Sequence, residues 1–101
     1  IERTKICGGG AKSPLWKKMI ANILNIKVDV IESEEGPALG GAMLAAVANG
    51  EFASVEEAAA KIVKVIDTVE PEPELAAKYE EKYQKFVKIY PAVKDLFNEI
   101  I

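Results

Sequence analysis

Ile6-Cys7-Gly8-Gly9-Gly10-Ala11-Lys12-Ser13-Pro14-Leu15-Trp16 is the stretch on which the reading of this chain turns. Before it, Arg3-Thr4-Lys5-Ile6-Cys7 is short and partly β-branched, and reads as a strand stopped by three glycines. After it, Ser13-Pro14 opens a helix: serine is a preferred N-cap and proline suits the first helical position. Leu15, Trp16, Met19, Ile20, Ile23 and Leu24 recur at the spacing of one helical face, and Asn25 supplies a stop. Val28 and Val30 alternate with Lys27 and Asp29, and Ile31 follows, which gives a second strand. Glycines between a strand and a helix start let backbone approach a bound group. The free N–H groups there favour anions or polar ring atoms. A tight structural turn would use the same residues.

Further along, Glu34-Glu35-Gly36-Pro37 is a loop into another helix that Asn49-Gly50 closes. Ala38, Gly40, Gly41, Ala42, Ala45, Ala46 and Ala48 leave that helix almost without bulk. Adjacent glycines inside a helix cost about 1 kcal/mol each relative to alanine. Close approach of another backbone or of a ligand is the expected compensation. Ser54-Val55-Glu56-Glu57 is a capping box, and its helix presents Val55, Ala58, Ala59 and Ile62, with the stripe carried on to Val65 and Ile66. Glu70-Pro71-Glu72-Pro73 is a stiff, exposed break. Leu75, Tyr79, Tyr83, Phe86 and Tyr90 stripe a long helix as packing residues, Pro91 interrupts it, and Val93, Leu96, Phe97 and Ile100 resume in a short terminal helix. The chain is thus α/β, with two strands, about five helices and a helix-rich C-terminal half. It divides into an α/β piece over 1–69 and a helical tail over 70–101. Two strands make a poor sheet by themselves, so further strands and an exposed apolar patch are expected.

Composition narrows the function. Of 101 residues, 50% are hydrophobic and 29% charged, so the chain is neither a disordered tail nor a membrane protein. Thirteen basic and sixteen acidic residues give −3, which offers no footprint for nucleic acid. Residues 1–31 carry six basic and two acidic side chains, +4, against seven and fourteen, −7, over 32–101, so an anionic ligand is better received near the N-terminal third. Histidine is absent, which removes His-based triads. No residue is singled out as catalytic or as a metal ligand; Glu32, Glu34 and Glu35 read as a solvated loop. The lone Cys7 has no internal partner, so a reducing compartment, the cytoplasm, is expected. The chain opens at Ile1 without methionine and reads as a piece of something longer.

Two nucleotide motifs can be set against the glycine turn. A Walker A loop fails: Ala11 separates Gly10 from Lys12, and Lys5 stands where its first glycine should be. The dinucleotide fingerprint G-x-G-x-x-G fits at Gly8 and Gly10, has Ser13 in place of its third glycine, and finds Glu32 at about the right distance.

Gly8-Gly9-Gly10-Ala11-Lys12-Ser13-Pro14-Leu15-Trp16, followed by Glu35-Gly36-Pro37-Ala38-Leu39-Gly40-Gly41-Ala42, resembles the C-terminal domain of FGGY-type carbohydrate kinases. Within that family it is most similar to the xylulokinases, and the resemblance runs through the Ser54 helix to Pro91. It implies a piece of an actin-like ATPase (ribonuclease H-like) domain. The whole protein would be an ATP-dependent kinase acting on a ketose such as D-xylulose, with Mg²⁺ held mainly by parts of the parent absent here. It implies that Gly8, Gly9 and Gly10 lie against the adenosine. Ser13 falls where many relatives place an asparagine beside the base. The Gly40-Gly41 helix would pack behind the nucleotide, and the catalytic aspartate would lie outside this stretch. A homodimer is compatible with it. A helical interaction module and a dinucleotide-binding oxidoreductase piece remain the alternatives.

Overall fold

β1 (Arg3–Ile6) and β2 (Lys27–Ile31) run parallel, with Thr4 opposite Val28 and Ile6 opposite Val30. The crossover between them is a 3₁₀ turn (Gly9–Lys12) and helix α1 (Pro14–Leu24). Ser13 caps α1 by accepting from the Trp16 N–H at 3.2 Å, Pro14 holds the first position, and Asn25 ends the helix in the left-handed region at φ 52°. Helices α2 (Gly36–Ala48) and α3 (Val55–Ile62) follow as a packed pair. Ser54 accepts from the Glu57 N–H at 3.1 Å, while the Glu57 carboxylate reaches back to the Ala53 N–H at 2.9 Å, a capping box shifted by one residue. The structure, a computed structural model, describes all of Ile1–Ile101.

The sheet has three strands, in the order β1-β2-β3, where the sequence reading finds two. β3 (Val65–Val69) lies antiparallel to β2 and takes up the residues read as the end of the Ser54 helix. That helix stops when Val63 turns extended, at φ −77° and ψ 118°. Val65-Ile66-Asp67-Thr68-Val69 is mostly β-branched, and the open edge of β2 gives its backbone groups partners that an exposed helical turn would not.

Side chains alternate across β2, and its two faces differ in kind. Val28 and Val30 are buried on one; Asp29, on the other, has a side chain only 4% exposed. The Asp29 carboxylate is held by all three strands. Arg3 of β1 donates from Nε to Oδ2 at 2.8 Å and from Nη2 to Oδ1 at 2.7 Å, and Thr68 of β3 donates its hydroxyl to Oδ1 at 2.7 Å. Charge-assisted bidentate pairing of this kind fixes geometry as well as energy. The hydrogen bonds from Arg3 and then Thr68 hold the Asp29 carboxyl down at about 2, against an ordinary 3.8.

α4 (Pro73–Phe86) docks on α1. The Asn22 side-chain carbonyl of α1 accepts from the Glu72 N–H, the N-cap of α4, at 2.7 Å, and Ala76 is buried nearby in sequence. Along the aromatic stripe of α4, Tyr79 is half-buried, while Tyr83 and Phe86 are exposed in this chain. The break before α5 (Ile89–Ile100) falls at Val87-Lys88, one turn ahead of Pro91. Proline lacks the N–H that would bond the Val87 carbonyl, and its ring crowds that oxygen; inside the first turn of α5 neither matters.

The chain is open in shape. Its radius of gyration is 18.6 Å, where a compact domain of this length has about 13 Å. Its accessible surface is 7688 Å², against about 5,600 Å² for a folded monomer of this mass. Seven residues are buried: Ala21, Asn22, Val28, Asp29, Val30, Ala58 and Ala76. No atom outside the helix comes within 4 Å of where a Cβ would stand on Gly40 or Gly41, so this chain does not supply the close approach expected of that helix. No helix is long and apolar enough to cross a membrane.

Two outcomes follow. The Asp29 carboxyl titrates lower folded than unfolded, so its stabilisation is complete above 3.8 and is lost as the pH falls through 3.8 toward about 2. Thermal melts across that window should show the loss in the parent sequence and a lower, flatter profile in Asp29→Asn; an unchanged acid limb in the variant would remove Asp29 as its source. The 101-residue chain should also self-associate or bind a hydrophobic dye through its exposed Leu15, Ile23, Leu24, Leu96 and Phe97. Sedimentation as a stable monomer with no dye binding is the contrary result.

Candidate functional site

The parallel strands β1 and β2 both end at the glycine turn, and ligands of open α/β sheets bind outside the carboxyl ends of such strands. A cavity of about 220 Å³ lies there. It is lined by Ile6 and Cys7 at the exit of β1, Gly8, Ala11 and Lys12 of the turn, Lys17 of α1, residues 30–34 at the exit of β2 and Ile66 of β3, while Gly9 and Gly10 stand beside it.

The three glycines do different work. Gly8 has φ +89° and starts the 3₁₀ turn, a conformation that side chains rarely adopt. A Cβ on Gly9 would meet nothing within 4 Å, so its backbone is bare to whatever occupies the adjoining space. A Cβ on Gly10 would come within 2.9 Å of both Cδ1 and Nε1 of the Trp16 ring. Within the turn, the Ala11 N–H bonds the Gly8 carbonyl and the Ser13 N–H bonds the Gly10 carbonyl, each at 3.1 Å. The Ser13 oxygen is committed to its cap on Trp16; its own hydrogen remains free to donate. The structure therefore gathers Gly8, Gly9, Gly10 and Ser13 into one short turn, with separate roles.

Charge crosses the mouth of the cavity. Lys12 pairs with Glu34 at 2.9 Å, with both side chains more than half exposed, so the pair contributes about 0–1 kcal/mol. Glu32, at the distance expected of a ribose ligand in a dinucleotide fold, instead approaches Lys64 at 3.8 Å. One contact was not legible in the sequence: Gly36 lies so close to Cys7 that a Cβ there would collide with the sulfur. It joins the exit of β1 to the start of α2, and a glycine between Glu35 and Pro37 is its only sequence trace. The site offers bare backbone, two lysines and a shallow wall.

Residues 1–49 match the family described as the FGGY family of carbohydrate kinases, C-terminal domain. The xylulose kinase of Bacillus subtilis (strain 168) is 40% identical over 89 residues, which cover 88% of this chain and 18% of that protein. A ribulokinase of Halalkalibacterium halodurans is 41% identical over 90 residues, covering 83% of this chain and 16% of its own. Among solved structures, a xylulose kinase from Brucella ovis superposes with a TM-score of 0.77 at 32% identity, over 95% of this chain and 20% of that one. The chain thus spans about a fifth of the length of these relatives. Its fold is a piece of the actin-like ATPase fold of those sugar kinases.

The glycines can be told apart by stability alone. Gly8→Ala should cost about 1–2 kcal/mol through its left-handed backbone, and Gly9→Ala should be close to neutral. Denaturant unfolding of the two variants measures this; equal losses would contradict the assignment.

Proposed function

The chain belongs to the FGGY family of carbohydrate kinases, and from that premise we propose that it forms the adenosine side of the ATP site in a sugar kinase. The observation that carries the reading is the bare Gly9 backbone in a turn at the carboxyl ends of two parallel strands. A flat heteroaromatic base or ribose can rest on backbone that has no Cβ, as the flanking β1 and α1 hold the turn in place. Gly8, Gly9 and Gly10 form the turn that approaches the adenosine, Gly9 with its bare backbone and Gly10 beneath the Trp16 indole, and the Ser13 hydroxyl is a donor at the rim. Lys12 and Lys17 bias the cavity toward the anionic phosphate end.

The proposed reaction is ATP plus D-xylulose giving ADP and D-xylulose 5-phosphate. The sugar hydroxyl oxygen forms a bond to the γ-phosphorus, the bond from that phosphorus to the ADP oxygen breaks, and the hydroxyl proton passes to a base elsewhere in the parent protein. Catalysis of this kind is positioning and neutralisation of charge; Mg²⁺ held by other parts of the parent protein would supply phosphate neutralisation. This chain's residues bind and orient the nucleotide and move no proton. Xylulose is preferred as substrate because relatives named xylulose kinase match most of the chain, though ribulokinases match it too. The proposal includes 1–69 as the α/β piece and 70–101 as the helical tail of one C-terminal domain, a cytoplasmic location and a homodimer. The family match speaks against the oxidoreductase and interaction-module readings, and Glu32 is turned to Lys64.

Calorimetric titration of the full-length protein tests this. Gly9→Val should raise the ATP dissociation constant about 30-fold, roughly 2 kcal/mol, and leave sugar binding unchanged. Lys12→Ala should do less, since that lysine is exposed and already paired with Glu34. The isolated 101 residues should release no ADP with any ketose. Unchanged ATP affinity in a folded Gly9→Val protein would take the turn out of the site.

A further inference from the structure

Position 10 is a glycine for a reason that lies inside this chain. The indole of Trp16 is half exposed, yet its Cδ1 and Nε1 edge lies across Gly10 so closely that a Cβ would stand 2.9 Å from either atom. That is nearer than packed carbon atoms approach, so even alanine at position 10 would push the ring away. Trp16 is tied to the same turn by a second contact, its backbone N–H on the Ser13 hydroxyl. The ring, like Gly9 and Gly10 beside it, is not part of the cavity lining, to which the turn contributes Gly8, Ala11 and Lys12. The indole therefore lies on the turn without forming a wall of the cavity. Nothing comes near the Cβ positions of Gly8 and Gly9, so Gly10 is the one glycine of the three that packs on a side chain.

We infer that Trp16 is a positioning residue: its indole, seated on Gly10, holds the glycine turn in the shape that receives the nucleotide, without touching the nucleotide itself. This rests on the reading of the turn as the adenosine site. A planar, rigid side chain suits the role because it covers a backbone segment at small entropic cost. The consequence is that the two residues act as a unit, and residues in contact show it as non-additivity.

The test is a double-mutant cycle in the full-length kinase, read as the ATP dissociation constant with sugar affinity as the control. Gly10→Ala and Trp16→Ala should each weaken ATP by about 10-fold, the scale of coupling between contacting residues. The double variant should be no weaker than Trp16→Ala alone, because without the ring an alanine at 10 has room. Trp16→Phe, which keeps an aromatic cover, should recover most of the affinity, and it carries the test if Trp16→Ala does not fold. If Gly10→Ala costs the same with and without Trp16, the glycine answers to something other than the indole and the inference is overturned. It is equally overturned if Trp16→Ala leaves ATP binding unmoved while Gly9→Val weakens it. If Gly9→Val also has no effect, the adenosine reading itself has failed, and the inference with it.

Discussion

The Asp29 carboxylate is the point on which the rest of this structure hangs. It ties β1 through Arg3 and β3 through Thr68 to the central strand, so one side chain bonds the full width of the sheet. Strand pairing alone leaves register open to slippage, and a slip by one residue would carry Val28 and Val30 to the wrong face. A bidentate guanidinium fixes that register because only one alignment brings Arg3 and Asp29 together. With β1 and β2 in register their carboxyl ends coincide, and the glycine turn and the exit of β2 face each other across the cavity. The site is thus downstream of a polar contact on the opposite face from Val28 and Val30.

The turn itself divides three tasks that a run of glycines disguises. Gly8 bends the chain into a conformation closed to other residues, Gly9 leaves backbone bare, and Gly10 makes room for an indole. Ser13 ends the turn and begins α1, so the helix that covers the sheet also holds one end of the site. The chain spans about one fifth of its relatives' length.

Much of the local structure could be read from residues. The cap at Ser13, the stop at Asn25, the capping box at Ser54 and the alternation of Val28 and Val30 are short-range signals, each set by a few neighbouring groups. The glycine turn and the Gly36-Pro37 helix, taken in order, also carry the resemblance to sugar kinases that the family match bears out. β3 was not legible, because Val65 and Ile66 continue the helical spacing of Ile62 and only the free edge of β2 makes an extended conformation better. The stripe of α4 is only partly covered within this chain: Ala76 is buried and Tyr79 half-buried, whereas Tyr83 remains exposed.

What the sequence by itself determined is whatever depends on groups within a turn or two: where helices begin, which residues alternate, and which segment has the composition of a ligand-binding turn. Tertiary structure alone decided the rest. Asp29 looked like the outward residue of an ordinary alternating strand until Arg3 and Thr68, 26 and 39 positions away, were brought to it. Gly10 looked like one of three equal glycines until the indole of Trp16 was found across it. Both depend on how β1, α1 and β3 fold back on one another, and no residue's own chemistry states that; the burial of a charge and the loss of room for a methyl group exist only once distant segments meet.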